Sequence, residues 1–269
     1  RYSPDVLYFD DTVLPFYPIS DEGVRILAHM YNKSLKDNKG EMRTVVTGKI
    51  LEERHKEAMV WDVERGIPDK PQAKPWQTCT CLGSWHYDRA LYDRNGYKSA
   101  AQVVKMLVDI VSKNGTLLLS VPLRGSGEID EKEVAILKEL KAWLDTNGES
   151  VFATRPWTVF GEGPLAEQAN PINAQGFNEG RQAYSAADIR YVKKGEVVYA
   201  TALGWPDNGV VRLETLRQDS PYCHRSVKGV ELLGHGAVDY ERDGTSLTIY
   251  LPKEKPNPIA PVFKITFLD

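Results

Sequence analysis

No apolar run in this chain approaches the ~20 residues that a membrane-spanning helix needs, so no membrane partner is expected. Cysteine is scarce: 3 among 269 residues, an odd count. Cys79 and Cys81 stand two apart on one expected strand face, a poor spacing for a mutual disulfide. The three thiols read as small buried residues and do not make a zinc site, so no metal or cofactor is expected. Charge of one sign is also missing. With 34 basic and 37 acidic residues the net charge is −3, which gives no footprint for nucleic acid or an anionic surface. There is no repeat and no low-complexity tract, and no signal peptide is expected before the first apolar run. Starting at Arg1 rather than Met, the chain reads as a processed or truncated product that begins within a domain. What it has is ordinary for a globular protein: 42% hydrophobic and 26% charged residues, enough for a real core.

The first 157 residues alternate between two periods. Val6-Leu7-Tyr8-Phe9 is a short, continuously apolar, β-prone run of the kind a parallel sheet buried on both faces requires, and it ends at Asp10-Asp11. Ser20 is expected to cap a helix with Val24, Leu27, Tyr31 and Leu35 inside, ending at Asn38-Lys39-Gly40. Strands are expected at 44–47, 58–61 and 76–82, with a charged surface turn at 51–57 and a Pro-rich loop at 68–75. Ser99 with Gln102 makes a capping box for a helix carrying Val103, Met106, Leu107, Ile110 and Val111. Residues 116–121 read as a fully buried strand, and Asp130 with Glu133 caps a last helix that stops at Asn147-Gly148. This is the pattern of parallel βα units.

After Arg155-Pro156-Trp157 the helical period disappears. Strand candidates at 188–192, 196–203, 210–216, 230–233, 246–251 and 262–268 are separated by Gly and Pro turns, which predicts an antiparallel β-sandwich. Residues 161–184 read as a long loop or a poorly ordered excursion. The expected fold is therefore α/β plus all-β: a partial (β/α)8 barrel over 1–157, then a sandwich over 158–269. A complete barrel takes roughly 250 residues. The remaining staves are expected from an upstream segment, a second polypeptide or a second copy.

Carboxylates gather at the strand ends, where barrel enzymes keep their chemistry. The first strand offers Asp10 and Asp11, the second Lys49, the third Asp62 and Glu64, with Trp61, Trp76 and Trp85 nearby in sequence. Two carboxylates ringed by aromatics suit glycoside hydrolysis: one attacks or stabilises the anomeric carbon, and the other protonates the leaving oxygen. Tryptophan faces stack on the C–H faces of sugars, and a basic residue orients hydroxyls.

The motifs go further than composition. Pro4-Asp5-Val6-Leu7-Tyr8-Phe9-Asp10 resembles the nucleophile strand of the family 29 α-L-fucosidases, P-D-x-L-W-F-D-G. Trp76-Gln77-Thr78-Cys79 with Ser84-Trp85-His86-Tyr87 is similar to their W-E-x-C and S-W-G-Y segment. Residues 108–119 resemble their V-S-K-N-G-x-L-L-L-N strand, and 147–157 their N-G-E and T-R-P-W exit from the barrel. The resemblance covers about residues 4–157 in order, and the family also has a trailing β-sandwich.

It implies a retaining exo-glycosidase acting on terminal α-L-fucosyl linkages of a fucosylated glycan. Asp10 would be the nucleophile; the acid/base position varies within the family, and Glu64, at a strand end beside Trp61, is the candidate here, with Glu52 and Glu53 as weaker ones. Lys49, Trp61, Trp76 and Trp85 would bind substrate. A secreted, periplasmic or lysosomal location is implied by the same resemblance. Four departures stand out: Gln77 replaces a Glu, Lys49 an Arg without keeping its bidentate fork, Asp11-Thr12 a Gly, and Ser120-Val121-Pro122 the usual N-V-G-P. None of the five histidines, His29, His55, His86, His224 and His235, is assigned to the sugar pocket. Gln77, Lys49 and the missing half of the barrel motivate a second reading, a non-catalytic carbohydrate-binding or degenerate fucosidase-like protein. A fragment with no function of its own is the third.

Overall fold

The structure is a computed structural model that describes residues 3–10, 17–172, 176–180 and 183–268. Asp11 and Thr12 lie outside the described residues.

The first part builds a five-stranded parallel sheet in sequential order: β1 (Val6–Phe9), β2 (Val45–Gly48), β3 (Val60–Glu64), β4 (Trp76–Cys81) and β5 (Gly115–Ser120). The connections carry α1 (Glu22–Asp37), α2 (Arg89–Asp93) and α3 (Ala100–Ser112), and α4 (Glu131–Asn147) follows β5. Sequential parallel order, with α-helices in the β1–β2 and β4–β5 connections, is the arrangement of a (β/α)8 barrel, of which this is a part. The two edge strands are wetter than their sequences suggest. Residues 116–121, expected to be fully buried, include Leu118 at 47% exposure, and Val6 on β1 is 58% exposed. Each edge strand of this sheet has a neighbour on one side only, so its side chains meet fewer partners.

The helix ends follow their caps. Ser99 accepts from Gln102 N, and the Gln102 side chain accepts in turn from Ser99 N, so the expected capping box on α3 is present. On α4 only half of it forms. Asp130 accepts from the amides of Lys132 and Glu133, each at 2.9 Å, but the Glu133 carboxylate has no hydrogen-bond partner. Helix α1 begins after Asp21, not Ser20, and has no side-chain cap. The backbone amide of Arg25 already donates to the Asp21 carbonyl, which sets the first turn one residue later than expected.

The second part has two antiparallel sheets. The larger runs β11 (Gly236–Ala237), β10 (Val227–Leu232), β14 (Val262–Phe267), β8 (Val197–Ala202), β7 (Ile189–Lys194) and β6 (Arg155–Glu162). The smaller runs β12 (Tyr240–Arg242), β13 (Leu247–Tyr250) and β9 (Val210–Leu213). Between them lies a core that includes Tyr191, Leu213, Leu247, Phe263 and Ile265. Strand β6 was not expected. Pro156 and a register shift between Pro156 and Gly161 break its ladder with β7, which hides the alternation from the sequence.

The other face of the larger sheet packs on the helices. Val192, Tyr199 and Val262 meet Val103, Val104, Leu140 and Trp143 of α3 and α4 in one cluster. A buried charge network crosses the same junction. Asp109 on α3 accepts from Lys113 at 3.0 Å, from Tyr184 at 3.1 Å and from Arg190 on β7. Burial opposes the Asp109 charge, but Arg190 and Lys113 outweigh it and hold the carboxyl below its ordinary range.

The stretch 161–184 is not an excursion in its described parts. It includes α5 (Pro164–Glu167), and residues 176–180 return to the barrel sheet. Gly176 bridges to Glu64, and Phe177 N donates to the Glu64 carbonyl at 2.8 Å.

Candidate active site

Side chains alternate across a strand, and the register of this sheet sorts them. Asp62 pairs with Gln77 and Glu64 with Cys79 across β3 and β4. These four share the face that also carries Tyr8 of β1, beside Lys49 at the end of β2. Asp10 follows Tyr8 by two residues and reaches the same place.

Lys49 is the centre. Its ammonium donates to Asp10 Oδ1 at 2.8 Å and to Glu64 Oε2, and lies 3.9 Å from Asp62 Oδ2. Burial opposes this charge, but the Asp10 hydrogen bond and the surrounding negative charges outweigh it and raise the Lys49 pKa. Because the Glu64 contact is shorter than the Asp10 contact, the two bound carboxylate oxygens lie closer than twice 2.8 Å. Asp62 is fully buried and fully engaged: Tyr8 donates at 2.8 Å, Gln77 Nε2 at 2.6 Å, and Cys79 Sγ sits 3.2 Å away. Gln77 acts here as a donor. A glutamate in its place would put a second carboxylate against Asp62. Burial raises the Cys79 thiol and, with the Cys79 and Asp62 contacts, raises the Tyr8 phenol well above its ordinary range, so both stay protonated.

Tyr8, Asp10, Lys49, Glu64 and Cys79 open onto a cavity of about 730 Å³ that Trp85, His86, Leu118, Ser120 and Phe177 complete. Asp10 is the most open of the carboxylates, its side chain 64% exposed, because β1 is an edge strand. It nonetheless lines this cavity.

Two sequence candidates belong elsewhere. Trp61 and Trp76 pair with each other on the opposite face of the same strands, which turns them towards the helices. Trp76 is buried against Ile110 and donates to the Lys113 carbonyl at 2.8 Å. Trp61 packs beside it, with the Lys56 ammonium 4.2 Å above its ring. Neither lines the cavity. Trp85 does, at 39% exposure. Glu52 and Glu53 sit in exposed pairs with Arg54 and Lys56.

The sequence reading passed over Tyr8, Cys79, His86 and Phe177 as site residues. A two-residue period from Asp10 back to Tyr8, and from Gln77 to Cys79, carried the first two. Nothing local announced Phe177, which arrives from 113 positions beyond Glu64. Among the described residues no group of His, Cys, Asp or Glu could hold a metal ion, and no helix is long and apolar enough to cross a membrane.

A partial parallel barrel with paired carboxylates at its strand ends, joined to an antiparallel β domain, is a scaffold on which glycosidase chemistry is possible. Comparison with known proteins makes it specific. A family model described as alpha-L-fucosidase matches residues 1–149, and one described as alpha-L-fucosidase C-terminal domain matches 183–266. The chain belongs to the α-L-fucosidase family. It is 30% identical over 210 residues to the human tissue alpha-L-fucosidase, covering 73% of this chain and 38% of that protein. Over 205 residues it is also 30% identical to the Macaca fascicularis enzyme of the same name, again covering 38% of it. Alpha-L-fucosidase isoenzyme 1 from Paenibacillus thiaminolyticus superposes with a TM-score of 0.69 at 22% identity, covering 98% of this chain and 58% of that one. A Bacteroides thetaiotaomicron alpha-L-fucosidase, described as a trapped covalent intermediate with 2-fluoro-fucosyl fluoride, gives 0.69 at 14% identity, covering 98% and 57%. The chain thus spans about two fifths of these curated relatives and somewhat over half of these solved chains.

Proposed function

We propose that this chain carries the catalytic carboxylates of a retaining exo-α-L-fucosidase acting on fucosylated glycans. Asp10 attacks the anomeric carbon as the bond to the aglycone oxygen breaks, and Glu64, which takes up a proton when substrate separates it from Lys49, gives that oxygen its proton. The product is a fucosyl ester on Asp10. Glu64 then takes a proton from water, and the water oxygen displaces Asp10 from the anomeric carbon. Lys49 holds the two carboxylates in place before substrate enters. Trp85 offers an aromatic face to the C–H face of the sugar.

The observation that carries the reading is the Lys49 bridge. It keeps the two carboxylates close, as in retaining glycosidases at about 5–5.5 Å, whereas inverting enzymes leave about 6.5–9.5 Å for a water. The covalent intermediate described for the Bacteroides structure supports the same chemistry.

The test is Asp10→Ala in the catalytically competent protein. Release of an aryl α-L-fucoside is expected to fall by at least ~10³-fold. Treatment of the wild type with 2-fluoro-fucosyl fluoride is expected to add one 2-deoxy-2-fluorofucosyl mass to the peptide holding Asp10. Full activity of the variant sinks the proposal. The second reading, a fucose-binding protein without turnover, predicts calorimetric binding of fucose and no adduct. The donor role of Gln77 removes one of its motives.

A further inference from the structure

We propose that Phe177 is the platform for the leaving-group sugar, brought to the acid/base side of the site by the segment 176–180. This rests on the proposed function and adds to it a residue that selects what the fucose is attached to.

The segment is pinned on both sides of Phe177. Gly176 bridges to Glu64, and Phe177 N donates to the carbonyl of Glu64 itself. Beyond it, Asn178 is buried and makes a two-way pair with the backbone of Ile67, at 2.9 Å in each direction. Glu179 N donates to the Arg65 carbonyl at 3.0 Å, and its carboxylate meets Lys98 at 2.6 Å and Thr80 at 2.7 Å. The approach is close enough to demand glycine twice. A Cβ on Gly176 would stand 2.2 Å from the Glu64 carbonyl oxygen, and one on Gly66 would stand 3.2 Å from Phe177 N.

Between these anchors Phe177 does something different from its neighbours. Its φ is +61°, a left-handed conformation that a bulky side chain rarely adopts. The residue is 44% exposed, belongs to none of the apolar clusters among the described residues, and lines the carboxylate cavity. An aromatic held in an unfavourable backbone geometry, without core packing, at the wall of a cavity is placed for a ligand rather than for stability.

The anchor decides which part of the ligand. The sheet order is β1, β2, β3, β4, so Asp10 and Glu64 approach the scissile bond from different strands. Phe177 hangs on the backbone of Glu64, the group assigned to protonate the departing oxygen. The ring on that side meets the departing group. Its chemistry fits a pyranose that presents a C–H face, as galactose and glucose rings do, and gives nothing to a leaving group without a ring.

The test compares kcat/KM on α-L-fucosyl fluoride, whose leaving group has no ring, with kcat/KM on 2′-fucosyllactose and 3-fucosyllactose. Phe177→Ala is expected to lower the better fucosyllactose rate roughly tenfold more than the fluoride rate. Phe177→Tyr is expected to restore most of the difference. An equal fall on both substrates means the segment only supports the fold and overturns the inference, as does no fall on the fucosyllactoses. Wild-type turnover of the fluoride alone overturns the inference and leaves the proposed roles of Asp10 and Glu64 standing. Turnover of neither overturns the proposed function as well.

Discussion

Lys49 joins the carboxylates of Asp10 and Glu64, yet the two carboxylates sit in different surroundings. Asp10 ends an edge strand and is open on the cavity side, as the proposed nucleophile role requires. Glu64 is buried between Lys49 and Cys79, with Cys79 Sγ 3.2 Å from its Oε2. That difference predicts a leaving-group signature. Glu64→Gln is expected to lower kcat/KM by ~10²–10⁴-fold on fucosides whose leaving group needs a proton. Fucosyl fluoride, which departs without one, should lose much less. Equal losses on both would remove Glu64 from the acid/base role. The carboxylates were readable in the sequence because each closes a β-prone run. The misassigned tryptophans show the limit of that reading. Trp61 stands next to Asp62 in the chain but on the other side of the sheet, since a one-residue step along a strand changes face.

Helix α4 carries an unpaired acid in its first turn. Glu133 is fully buried, and neither carboxylate oxygen has a hydrogen-bond partner. Burial, with Asp130 alongside, pushes its pKa up to about 7, only partly offset by Arg124. A raised acid pKa means the folded state holds its proton more tightly than the unfolded chain does. The fold is therefore unpenalised below the ordinary value of 4.5 and loses stability as pH rises from there through about 7. Glu133→Gln keeps the shape of the neutral acid. Its stability relative to wild type is expected to be about 2–3 kcal/mol more favourable at pH 8 than at pH 5, read from urea unfolding at both values. No pH dependence in that difference would show that Glu133 finds a partner. The periodicity located this helix and Asp130 in the sequence. It left Glu133 looking like the second half of a capping box, because the burial that denies it a partner comes from the surrounding packing.

The barrel part and the β domain share one apolar cluster and one charge cluster, so the molecule is braced across its sequence division. Asp109 is the shared partner of two buried basic side chains from different parts of the chain, Lys113 on its own side and Arg190 on β7. Asp109→Ala would leave both cations buried without it. A loss of about 3–5 kcal/mol in urea unfolding is expected, typical of breaking a buried pair from one side. A loss below ~1 kcal/mol would mean that water or another carboxylate takes its place.

The order of periodic segments was enough to establish parallel βα units followed by an antiparallel β domain, since helix and strand periods are local properties of the side chains. The strand-end carboxylates and the family motifs were equally visible there. Which face each strand residue takes was settled by register between strands. The return of Gly176 and Phe177 to Glu64 was settled by contacts between residues more than a hundred positions apart, for which no local pattern exists.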